Sequence, residues 1–152
     1  MKTLVLALIV VLSAFAHAQK IPKRPLGVPA DAKHFNGKWY KVVLEKKTWH
    51  AARDKCKEMG GQLCIVPDAA TWEFVKTLTT ASVWLGATDE EKEAVWKWID
   101  GSEMKFTKWI GGNHDNAGGV EHYLCTHRGE WNDAAKHGRF DSFQVVGFIC
   151  QW

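Results

Sequence analysis

Five oxygen-bearing side chains, Asn113, Asp115, Glu121, Asn132 and Asp133, fall within a stretch between Gly101 and Asp141 that is rich in Gly and Asn and poor in periodicity. Calcium takes donors of this kind, six to eight at a time, from carboxylates, amide carbonyls and water. Were the three carboxylates among them to face one small volume, they would repel one another unless a cation lay between them. Asn, Asp and Gly also make turns, and for Gly129 a turn, and for Trp131 core packing, is explanation enough. Zinc fits less well. Six His lie beyond the first eighteen residues, and His114, His122, His127 and His137 stand near this stretch, but none has the spacing of a zinc site with a partnering acid, so they read as solvated surface groups. Paired acids could serve acid–base hydrolysis, yet no nucleophile, base and orienting group accompany them, and the chain reads as no enzyme.

The elements that must hold these residues are legible in outline. Residues 1–18 open with Lys2, run apolar from Leu4 to Phe15 and end on Ala16 and Ala18, the pattern of a signal peptide cut before Gln19. Such export places the protein outside the cytoplasm, extracellular or periplasmic, where disulfides persist. Residues 19–33, with Pro22, Pro25 and Pro29, read as a linker. Residues 34–152 are left for one domain with one core. Lys38–Leu44 reads as a strand; Thr48 caps a helix carrying Trp49, Ala52, Cys56 and Met59 on one face; Leu63–Val66 is a short buried strand; Asp68 caps a second helix with Trp72, Val75 and Leu78 inward. Short strands follow at Val83–Gly86, Val95–Ile99, His122–Cys125 and Val146–Cys150, with a long loop region between Gly101 and Asp141. The formal charge of +3 is small and interspersed, which argues against a nucleic-acid partner, and no later segment is long and apolar enough to span a membrane.

Three phrases, Val83-Trp-Leu-Gly-Ala-Thr-Asp89, Trp131-Asn-Asp133 and Gly147-Phe-Ile-Cys-Gln-Trp152, resemble the C-type lectin-like domain family in order and spacing. Trp96-Lys-Trp-Ile-Asp-Gly101 and Gly60-Gly-Gln-Leu63 extend the resemblance over residues 34–152. It implies an α+β fold in which two helices flank a twisted antiparallel sheet, with a long irregular loop holding the site. It also implies a disulfide between Cys56 and Cys150. The family's second bridge finds no match, since Tyr123 stands where one of its Cys would be; Cys64 and Cys125 then either form an unusual bridge or remain buried thiols.

For the loop, the resemblance implies a sugar-binding calcium ion held by Asn113, Asp115, Glu121, Asn132 and Asp133, and a second calcium position echoed by Asp89, Glu93, Asn116 and again Glu121. Lectin members carry Glu-Pro-Asn or Gln-Pro-Asp with a cis proline where this chain has Asn113-His114-Asp115. A cis bond without proline costs about 2.5–4 kcal/mol, so His114 either bears that strain or shapes the loop differently. The order of amide then acid is that of galactose-type members. The expectation is a secreted calcium-dependent lectin whose partner is a carbohydrate or glycoconjugate; the alternative is a calcium-independent domain of this family that binds a protein or surface partner.

Overall fold

Each helix begins where the sequence supplies an oxygen for its open amides. Thr48 Oγ1 accepts from the Ala51 amide at 3.2 Å ahead of α1 (Trp49–Glu58), and Asp68 Oδ1 accepts from the Thr71 amide at 2.7 Å ahead of α2 (Ala69–Leu78). The first helix stops at Met59, before Gly60 at φ +76°. Trp49, Ala52 and Cys56 are its buried face, and Thr71, Trp72 and Val75 are that of α2. The computed structural model describes residues 21–112, 114–139 and 143–152. The leader read at residues 1–18 and the candidate ligand Asn113 lie outside them.

Eight strands form one sheet: β1 (Lys33–Phe35), β2 (Lys38–Val43), β3 (Gln62–Leu63), β4 (Val83–Thr88), β5 (Lys97–Trp98), β6 (Tyr123–His127), β7 (Glu130–Ala134) and β8 (Gly147–Gln151). The path runs β1-β2-β8-β4-β6-β7, with β3 on β8 and β5 on β4. Every pair is antiparallel except β4 with β8, where Val83 stands opposite Gly147 and Trp84 opposite Phe148. The last strand enters between β2 and β4, which run in opposite directions, so its pairing with one of these two must be parallel.

Alternation along β4 divides the interior in two. Val83, Leu85 and Ala87 pack with Trp72 and Val75 of α2, whereas Trp84 packs with Trp49, Ala52 and Cys56 of α1, so each face of the sheet carries one helix. Close approach requires Gly86 within this strand. Its amide donates to the Cys64 carbonyl at 2.8 Å, and a Cβ there would lie 2.8 Å from the Leu63 carbonyl oxygen.

Two expectations shift in detail. Of the run Leu63–Val66 only Leu63 pairs as a strand, with Gln62 before it; beyond it the Ile65 amide is met by the Gln151 side chain at 2.9 Å, a partner that no local pattern announces. The stretch from Gly101 to Asp141 is not all loop, because β6 and β7 form a hairpin inside it. Within residues 21–33, Val28 and Ala32 are buried, and their amides donate to the carbonyls of Pro25 and Pro29.

A disulfide joins Cys56 of α1 to Cys150 of β8, 94 residues apart. Cys64 and Cys125 are free and fully buried, and burial pushes both thiols up. A bridge between them is out of reach because β4 lies between: Cys64 bonds to Gly86 on one side, Cys125 registers with Trp84 on the other. Two strand spacings put them about 10 Å apart, against a limit near 7 Å for a disulfide.

These assignments predict that a thiol reagent leaves the native protein unlabelled and modifies two cysteines per chain in denaturant, read by mass. Replacing Cys56 and Cys150 together by Ala should lower unfolding stability by about 3–5 kcal/mol in chemical denaturation.

Candidate metal centre

The oxygen cluster is assembled from three places. Asp133 projects from β7, Glu121 stands two residues before β6, and Asp115 and Asn116 belong to the loop between β5 and β6. Carboxylate oxygens of Asp115, Glu121 and Asp133 all lie within 4.8 Å of one another. Backbone amides fold the loop around them. Asp133 accepts from the Asn116 amide at 2.7 Å and from the Asp115 amide at 3.4 Å, and Glu121 accepts from the Ala117 amide at 3.2 Å. Asn116 completes the wrap in the left-handed conformation, φ 42°, which Asn tolerates better than most residues; its Oδ1 accepts from the Glu121 amide at 2.9 Å.

This arrangement is electrostatically costly. Glu121 is 8% exposed and Asp133 1%, and among the described residues no Lys, Arg or His pairs with either or with Asp115. Burial, then the neighbouring charge of Asp133, pushes the Glu121 carboxyl up to about 7. Burial also raises Asp133, against the pull of the Asn116 amide. An all-oxygen donor set of three carboxylates fits a hard divalent cation, which would remove the repulsion.

A second group stands beside the first. Asp89, 2% exposed, and Glu93 approach His122 Nδ1 at 3.1 Å and 3.6 Å, and the Asp89 carboxylate also accepts from the Ala94 amide at 2.8 Å. Asn116 joins the two groups, for its Nδ2 donates to Glu93 at 2.5 Å. His122 is therefore no solvated surface histidine: it is drawn in by a buried carboxylate opposite the start of β6. Its position next to Glu121 was the available signal.

Two further residues, Asn132 of β7 and His114 of the loop, have contacts of their own. The Asn132 side-chain amide donates to the Asp133 carbonyl, and the His114 ring lies 5.7 Å from Trp96 and 5.3 Å from Trp109, the latter edge to face. An imidazole at this position thus holds the loop by ring contact where a proline would hold it through its backbone.

Comparison with known proteins bears on this geometry. Residues 45–151 match the family described as Lectin C-type domain. A hepatic lectin of Gallus gallus is 37% identical over 66% of this chain and 50% of its own length. A perlucin-like protein of Mytilus galloprovincialis is 30% identical over 83% of each. The carbohydrate-recognition domain of the mouse scavenger receptor C-type lectin superposes with a TM-score of 0.72 at 30% identity, over 82% of this chain and 94% of that one.

Glu121 titrates higher in the fold than its ordinary 4.5, so the folded state holds the extra proton and stability falls as pH rises from there towards 7. In metal-free buffer, wild type should therefore lose melting temperature relative to Glu121→Gln across that interval. Parallel melting curves for the two proteins would remove the assignment.

Proposed function

The chain belongs to the C-type lectin domain family, and from that premise we propose that it is a secreted, calcium-dependent carbohydrate-binding module. Asn113, Asp115, Glu121, Asn132 and Asp133 hold the sugar-binding ion, and Asp89, Glu93, Asn116 and Glu121 hold a second one. The observation that carries this reading is the cluster of three carboxylates, two of them buried, without a cationic side chain among the described residues. A bound ion with unfilled coordination positions takes two vicinal hydroxyls of a sugar, while the ligand side chains hydrogen-bond to the same hydroxyls. The protein then needs only a shallow site, and nothing in this chemistry breaks a covalent bond, so the reading is of binding and not catalysis.

The order of amide then acid at Asn113 and Asp115 supports galactose-type ligands over mannose-type ones, because it sets which side of the ion offers donors to the sugar. Asn is one methylene shorter than the Gln of galactose-type relatives, and affinity is accordingly weak. Secretion rests on the leader pattern of residues 1–18. No helix among the described residues is long and apolar enough to cross a membrane.

Calcium at a hundred times its dissociation constant should stabilise the fold by about 2.7 kcal/mol, a rise of roughly 5–15 °C in melting temperature. Asp133→Asn should abolish that rise. The wild type should be retained on a galactose matrix, be released by a chelator, and be eluted by galactose before mannose. Chelator-insensitive retention on a protein or surface partner, with no calcium shift, would select the calcium-independent alternative. His114→Pro should tighten calcium binding by favouring a cis bond in the loop.

A further inference from the structure

A cavity of about 270 Å3 opens at the far end of the β6–β7 hairpin, roughly 20 Å along β6 from the carboxylates. Its floor is apolar and buried: Trp72 and Val75 come from α2, Val83 from β4 and Ile149 from β8. The one buried hydroxyl in the wall, that of Thr126, is already engaged, accepting from the Val83 amide at 3.0 Å and donating to the Ala81 carbonyl at 3.2 Å. The mouth is cationic. Lys76 and Arg128 stand there and no acidic side chain lines the cavity. Lys76 is partly committed, to Glu73 at 2.8 Å, whereas Arg128 is exposed and has no ion pair among the described residues.

The backbone at Arg128 adds an independent observation. His127 pairs with Glu130, so Arg128 and Gly129 alone make the turn, at φ 49° and 78°. A two-residue turn with both φ positive favours Asn followed by Gly, and a long side chain resists the left-handed region. Turn formation therefore does not account for Arg at this position. A guanidinium at the rim of an apolar cavity does have a use: its planar fork binds a carboxylate through two parallel hydrogen bonds.

We propose that this cavity is a binding site for a small amphipathic carboxylate, whose apolar part fills the floor and whose head group is held by Arg128 with Lys76 adding charge. The volume suits an apolar part of roughly nine water-sized groups, by the share of about 30 Å3 that a water takes. The site is separate from the carboxylate cluster and does not rest on the lectin reading.

Calorimetric titration of the protein with octanoate, octanol and acetate tests each half of the claim. Octanoate should bind saturably and one to one in the millimolar range or below, and octanol, lacking the charge, and acetate, lacking the tail, should each bind about tenfold more weakly or worse. Arg128→Asn suits the turn and should leave the melting temperature equal or higher, while weakening octanoate about tenfold or more. Ala81→Phe, placed in the cavity wall, should also remove octanoate binding, and both variants should keep the cooperative thermal unfolding of the wild type. No saturable octanoate binding, octanol binding as tightly, or unchanged octanoate affinity in Arg128→Asn would overturn the proposal.

Discussion

The indole of Trp131 is the fixed point around which the irregular half of the domain is arranged. It is wholly buried and meets Trp72, Trp98, Phe106 and Trp109 edge to face, with ring centroids 5.6–5.9 Å apart. Aromatic rings prefer this geometry, because the positive edge of one faces the negative face of another. The four partners come from α2, β5 and the loop that follows β5, so a single side chain of β7 gathers elements that have few backbone bonds to one another. One such bond is at Trp131 itself, whose amide donates to the Lys108 carbonyl at 2.7 Å. Its indole N–H has no hydrogen-bond partner among the described residues, so the ring is held by shape and not by polar bonding. Asp133 follows two residues later on the same strand, so the strand that carries the ring also carries this carboxylate.

That rigidity is what allows the carboxylates to be held together at all. A flexible loop would relieve the repulsion among Asp115, Glu121 and Asp133 by moving one of them into water. Here β7 anchors Asp133, Glu121 is held by the Ala117 amide and the Asn116 side chain, and the loop residue Asp115 is pinned by its own amide on Asp133. The fold thus works against local electrostatics, and the stabilising terms lie elsewhere: in the two apolar layers beside β4 and in the bridge from α1 to β8. Burial of aromatic surface and closure of a long chain loop supply what the site gives up.

How much of this could be read from the residues divides along the same line. The caps at Thr48 and Asp68, the faces of both helices and the strand at Val83 were legible, because each depends on neighbours in sequence. The grouping of Asp115, Glu121 and Asp133 was an expectation of the family resemblance, and their carboxylate oxygens lie within 4.8 Å of one another. The approach of His122 to Asp89 and the Gln151 contact to Ile65 were not legible, since no periodic pattern carries a long-range polar contact. The loop region hid β7, the second strand of the hairpin, because it is short and the turn before it uses Arg where Asn is usual.

Burial of Cys64 and Cys125 on opposite sides of β4 has a consequence for how the chain matures. Four thiols leave the ribosome, and only one of the pairings open to them is native. Until β4 is sheathed on both faces, either unpaired sulfur can capture Cys56 or Cys150 and hold the helix away from the last strand. Oxidant met before collapse therefore yields scrambled species, and oxidant met after it yields one product, so the order of packing and oxidation decides the yield of correctly folded molecules.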